Sequence, residues 1–297
     1  MKIIVCLKEV VDTALSLDTG LRNRLVFREG LPLRLNPHDT RALAMALDAK
    51  SLIASGDTSI SVVSIGPERV EKYLRQALSL GADKAVRIWG EDFLGLSPYQ
   101  KAKLLYAHAS LSGPGLVITG AKSLDTANGQ VGQFLAAWLG WPCVSDVIGL
   151  EMDSESGNIT INRDIGRGKR EILECPLPAV LTVKGDNTHL PLASLDRFIE
   201  SRQREIEVFS PIELNITPAD LKEEPTRITG LMTPRPRPQK VPTPDNSLPA
   251  FERVLQLLEG GISRRRGKML EGDTEELAEQ LYELFLTEGV IKPAADL

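Results

Sequence analysis

The run Gly120-Ala121-Lys122-Ser123-Leu124-Asp125-Thr126-Ala127-Asn128-Gly129-Gln130-Val131-Gly132-Gln133 holds the residue types best suited to binding chemistry in this 297-residue sequence. It follows the apolar run Leu116-Val117-Ile118-Thr119 and opens a stretch with helical character. Small residues let a backbone approach a ligand closely, and the free amides at a helix start attract a phosphate. The pattern suits a phosphate-bearing ligand; it also suits a plain strand-to-helix connection, and the local residues leave both open. The segment lacks the G-x-x-x-x-G-K-[ST] spacing of nucleoside triphosphatases, and no dinucleotide fingerprint follows the first strand.

Other chemistries find little support. Cys6, Cys143 and Cys175 are far apart and form no C-x-x-C pair, and His38, His108 and His189 show no metal-ligand spacing with them or with one another. No metal site, no disulfide framework and no nucleophile with its base is therefore expected, so the chain reads as a binding protein without catalytic residues of its own. A net charge of -5 offers no general attraction for nucleic acid or anionic lipid. The apolar start is soon interrupted by Lys8, Glu9 and Asp12, which argues against a signal peptide or a spanning helix. The expected setting is cytoplasmic.

The elements that would position a ligand alternate. Strands are expected at residues 3–7, 60–65, 84–89 and 116–119, with helices at 40–54, 68–80, 98–110 and 130–139. Strand runs that are apolar at consecutive positions suit a parallel sheet covered on both faces. The fold class is thus α/β, a mainly parallel, doubly wound, Rossmann-like sheet. Four further runs, at 144–152, 158–163, 169–174 and 179–183, read as antiparallel additions, and 192–204 as a loop entering a helix. Residues 215–250 are dense in proline and read as an extended arm. The remainder, 251–297, ends in a helix whose Leu277, Leu281, Leu284 and Phe285 share one face. In such a sheet ligands bind beyond the carboxyl ends of the strands. That singles out the loops 6–12, Ile65-Gly66-Pro67 and 120–133.

Five ordered segments resemble the electron-transfer flavoprotein β-subunit family across roughly residues 1–210, within a nucleotide-binding domain expected at 1–214. They are Ile4-Val5-Cys6-Leu7-Lys8-Glu9-Val10-Val11-Asp12; Asn36-Pro37-His38-Asp39 before an alanine-rich helix; Ala77-Leu78-Ser79-Leu80-Gly81-Ala82-Asp83 with Pro98-Tyr99-Gln100; the 120–133 loop with Leu139-Gly140-Trp141-Pro142; and Ile161-Asn162-Arg163-Asp164-Ile165-Gly166-Arg167-Gly168 with Leu177-Pro178-Ala179. The resemblance implies an adenine-nucleotide-binding subunit paired with an α subunit, which holds most of an electron-carrying FAD shared between them. It implies AMP in the β pocket, or a second FAD as in the electron-bifurcating branch, bound by Cys6, Asn36, Pro37, His38, Asp39, Ile65 and residues Lys122 to Gln133. It further places Asp164 at the flavin and subunit interface, and Leu195 in a loop, residues 189–204, where a dehydrogenase docks. A stand-alone adenine-nucleotide-binding protein is the alternative from another class.

Overall fold

The computed structural model describes residues 1–13, 19–20, 25–26, 31–52, 58–90, 93, 95–152, 158–185, 190–222, 224–225, 247–258, 272–287 and 290. His189 and most of the proline-rich segment, 226–246, lie outside them. In chain order the elements are β1 (Lys2–Leu7), β2 (Glu9–Val11), β3 (Thr19–Gly20), β4 (Leu25–Val26), β5 (Leu33–Leu35), α1 (Pro37–Leu52), β6 (Ser59–Ile65), α2 (Glu71–Leu80), β7 (Lys84–Ile88), α3 (Pro98–Ser112) and β8 (Leu116–Gly120). They continue with α4 (Val131–Leu139), β9 (Cys143–Met152), β10 (Asn158–Gly166), β11 (Lys169–Pro176), β12 (Ala179–Val183), α5 (Leu195–Gln203), β13 (Glu207–Phe209), α6 (Ala250–Leu258) and α7 (Thr274–Thr287).

Nine strands form one sheet in the order β11-β10-β9-β12-β8-β1-β6-β7-β13. From β9 to β13 every neighbouring pair is parallel. Only β10, paired with β9 and with β11, is antiparallel to its neighbours. The sequence reading of 179–183 as an antiparallel addition is therefore corrected: β12 runs parallel between β8 and β9, with all five residues buried. Two-sided burial is what its near-continuous apolar run specifies. The expectation for 144–152 is corrected in part, since β9 is parallel to β12 and antiparallel only to β10.

Side-chain alternation along the strands explains the two cores. Ile3 and Val5 of β1, with Ile60, Val62, Ile118 and Leu181, pack on α1 and α2. Ile4, Val63, Val117 and Val180 face the opposite way and pack on α3 and α4. Helix α3 is fixed at its start by a reciprocal cap, in which Ser97 Oγ accepts from the Gln100 amide while the Gln100 side chain accepts from the Ser97 amide. It ends at Gly113 in the left-handed conformation. Leu214 and Ile216 are buried in the second core, and Lys103 donates to the Asp220 backbone and carboxylate, so the chain beyond β13 lies along α3.

His108 of α3 is a stability switch within this second layer. It is buried against the Phe209 ring at 5.4 Å, and its Nδ1 has no hydrogen-bond partner among the described residues. Burial holds its pKa down at about 4 rather than 6.5. The unfolded chain then takes up a proton first as pH falls, so the stability tied to the neutral ring is whole above 6.5 and is lost down to about 4. The expected loss is about 3 kcal/mol. Thermal melts across this range check it: the wild type should fall relative to His108→Gln as pH drops, and parallel curves would reject the assignment.

The chain separates into two units, Met1–Leu231 and Met232–Leu297. In the second, α6 exposes Phe251, Val254 and Leu255, and α7 exposes Leu281, Tyr282, Leu284 and Phe285, with no buried residue. No helix among the described residues is long and apolar enough to cross a membrane.

Candidate functional site

The sheet order opens a crevice at one place. The chain leaves β1 toward β6 on one side, whereas β8 lies on the other side of β1 and its exit leads on to α4. Connections diverging from two adjacent parallel strands leave a cleft between their carboxyl ends. Residues just beyond β1 and β8, together with the start of α1, fill its floor with a polar knot.

Lys8, one residue past β1, is held from both ends. Its backbone amide donates to Asp39 Oδ2 at 2.7 Å, and its ammonium donates to both Asp125 oxygens at 2.7 and 2.9 Å. Asn36, only 1% exposed, spans the crevice. Its Nδ2 donates to Asp39 Oδ1 and to the Lys122 carbonyl, both at 2.9 Å, while its Oδ1 accepts from the Leu124 amide at 3.2 Å. One buried amide thus splints the loop after β8 onto the start of α1, leaving none of these groups unpaired.

Asp39 is the hub. It accepts from Lys8, from Asn36 and from the Gly120 amide, yet burial dominates and pushes its pKa up to about 7. His38, beside it, accepts at Nδ1 from the Gly185 amide at 2.8 Å, which leaves the proton of the neutral ring on Nε2. Burial lowers its pKa. Gly185 follows β12, so this bond ties a third strand end to the same helix start.

The sequence-chosen residues do not all share one role. Asn36, Asp39, Lys122, Leu124 and Asp125 are brought together in the knot. Ser123 and Thr126 bond to each other through their hydroxyls at 3.0 Å. Ala127 and Gly129 adopt left-handed φ of 50° and 60°, and Lys122, Leu124, Thr126, Ala127, Asn128 and Gln130 are exposed. Val131, Gly132 and Gln133 form the first turn of α4. A β-carbon on Gly132 would stand 2.4 Å from Thr182 Cγ2 and 2.9 Å from Thr119 Oγ1, so only glycine lets α4 start against β8 and β12. Thr182 Oγ1 is buried there without a partner among the described residues. Pro37 is the first residue of α1, where its missing N–H costs nothing. Cys6 and Ile65 pack instead against the α3 and α4 core. Burial and the nearby Asp39 charge raise the Cys6 thiol, which keeps it an uncharged wall.

Thr182 and Gly185 were not among the residues the sequence singled out as ligand contacts, and Lys8 stood within the 6–12 loop with no role of its own. Their only sequence signal was a position just at or after an apolar strand run, which says where a residue stands but not what it meets.

Asp164 lies elsewhere, on β10, in a cleft of about 380 Å3 that Ser145, Asp146, Arg163 and Lys184 also line. It accepts from Lys184 Nζ at 2.5 Å and from the Gly166 amide at 2.7 Å, and both bonds hold its carboxyl below the usual range. Leu195 opens α5, which packs against α2, and it is 71% exposed with Leu192, Phe198 and Ile199 also bare.

A profile of the electron transfer flavoprotein domain matches residues 24–214. Among similar proteins are the mitochondrial electron transfer flavoprotein subunit beta of Arabidopsis thaliana, 29% identical over 78% of this chain and 93% of its own length, and the corresponding subunit of Clostridium acetobutylicum, 29% identical over 77% and 86%. Protein FixA of Sinorhizobium fredii is 28% identical over 87% of this chain and 92% of its own length.

Proposed function

The chain belongs to the electron transfer flavoprotein family, and from that premise we propose that it is a β subunit which binds AMP at the strand tips and, with an α subunit, holds a shared FAD. The observation that carries the nucleotide reading is the pairing of a glycine-dependent helix start with an orphaned buried hydroxyl. At Gly132 the first turn of α4 approaches β8 and β12 as no other residue permits, and Thr182 Oγ1 is buried there without a partner among the described residues. A phosphate-bearing ligand suits such a place, because the amides of the turn are donors and the hydroxyl is a further one.

The flavin supplies the electron chemistry when bound. This chain's own residues do quieter work. Asn36 and Asp39 hold the loop in shape, Gly120 to Gln133 present backbone donors, and Cys6 and Ile65 close the wall against the core. Asp164, already ion-paired to Lys184, offers a charged edge to the partner subunit, and Leu195 with its apolar neighbours offers a docking surface to a dehydrogenase. Electron transfer requires no nucleophile or base of this chain.

Co-expression with an electron transfer flavoprotein α subunit from the same organism tests the reading. The expected product is a yellow heterodimer that releases both FAD and AMP on denaturation, identified by mass spectrometry. Two FAD and no AMP would replace AMP by a second flavin, and a colourless, uncomplexed chain in excess flavin would overturn the function. Stripping the nucleotide should also destabilise the subunit. At a hundredfold excess over Kd a bound ligand contributes about 2.7 kcal/mol, equivalent here to about 5–10 °C in Tm.

A further inference from the structure

Asp125 is the only carboxylate in the 121–130 loop, the loop that receives the phosphate in the reading above, and this inference rests on that reading. An uncompensated carboxylate beside a phosphate is repulsive, and more so where part of the solvent is excluded. The compensation comes from another strand. Lys8 Nζ reaches both Asp125 oxygens at 2.7 and 2.9 Å, with the side chains 34% and 16% exposed. Its backbone is fixed on both sides: the amide donates to Asp39 Oδ2 at 2.7 Å, and the carbonyl accepts from the Asn36 amide at 3.0 Å. Asp125 in turn accepts from the Thr126 amide at 2.7 Å, so the ammonium pins the turn as well as its charge.

We propose that Lys8 is a positioning residue of the nucleotide site: its ammonium neutralises Asp125 and clamps the loop to β1, so that loop backbone, not the Lys8 side chain, faces the phosphate. Two rival roles predict different behaviour. A lysine that grips the phosphate directly would be missed whether or not Asp125 is present. A lysine that only braces the fold would lower Tm without making binding depend on salt.

Calorimetric titration of AMP into the nucleotide-stripped full chain in its heterodimer separates these. Lys8→Met should weaken AMP binding about tenfold or more, as an unscreened like charge at this range does. Added salt should recover part of that loss, because it screens the Asp125 charge. The double variant Lys8→Met, Asp125→Asn should return to within about threefold of wild type, as expected when the two residues act only on each other. Lys8→Arg, which keeps the charge, should bind like wild type. Lys8→Gln takes the place of Lys8→Met if the latter does not fold.

A double variant as weak as the single one overturns the proposal, as does unchanged affinity in Lys8→Met. A wild-type heterodimer that binds flavin but no AMP removes the nucleotide reading itself, and this proposal with it. Wild-type binding without rescue removes this proposal alone.

Discussion

A Gly120→Ala variant is expected to melt far below the wild type and, on the function proposed above, to lose the nucleotide. The added β-carbon would stand 2.1 Å from Asp39 Oδ1, 2.8 Å from His38 Cβ and 3.1 Å from the Asp39 nitrogen. Neither side can yield easily. Gly120 ends a strand locked in parallel register with Val183, and Asp39 sits in the first turn of α1 with its carboxylate bonded to Lys8 and Asn36. Moving the helix start breaks those bonds and strands a buried carboxylate, so overpacking and lost hydrogen bonds act together. The combined cost is about 3–5 kcal/mol. Gly140→Ala is the control, because Gly140 has φ +67° but nothing within 4 Å of an added β-carbon. It should lose only the conformational part, about 1 kcal/mol. If Gly120→Ala melts no lower than Gly140→Ala, the tight seam between β8 and α1 is refuted.

How much of this was legible beforehand follows from what sets each feature. β1, β6 and β8 were readable because two-sided burial writes itself as an unbroken apolar run. α7 was readable because a helical face repeats every three to four residues. β12 carries the same kind of run as β1, yet it was misread as antiparallel by association with the charged strands before it. After β9 the chain adds β10 and β11 to the outer edge of the same sheet and returns to insert β12 between β9 and β8, so order along the sequence is not order in space. β13 has only three residues, too few to show a period.

The site divides in the same way. Glycine at 120 and 132 is a local signal for close approach, and the loop was found by it. The partnership of Lys8 with Asp125 spans 117 residues and that of Lys8 with Asp39 spans 31, and no charge in the sequence names its partner. Asp164 was picked out by resemblance, but Lys184, which neutralises it, was invisible for the same reason. Sequence therefore located the walls of the crevice, while the charge balance on its floor needed the fold.

That floor should give the chain a pH dependence of its own, carried by Asp39. Two effects compete there. Bonds from Lys8, Asn36 and Gly120 favour the ionised carboxyl, and a carboxylate with such donors can titrate well below its ordinary value. Complete burial favours the protonated form, and it prevails, raising the pKa from 3.8 to about 7. Because the folded value is the higher one, the stabilisation is full below about 4, shrinks as the unfolded chain releases its proton, and is gone once pH passes about 7. Its size is about 4 kcal/mol. Asp39→Asn keeps the shape and cannot ionise, so measuring it against wild type at each pH cancels His108, whose effect runs the opposite way. Between pH 4 and 7 the variant's Tm should rise relative to wild type by about 10 °C, then hold steady above. A difference that stays level over this range, or that moves toward wild type, would mean that the donors outweigh burial and that the carboxylate at the hub is ionised throughout.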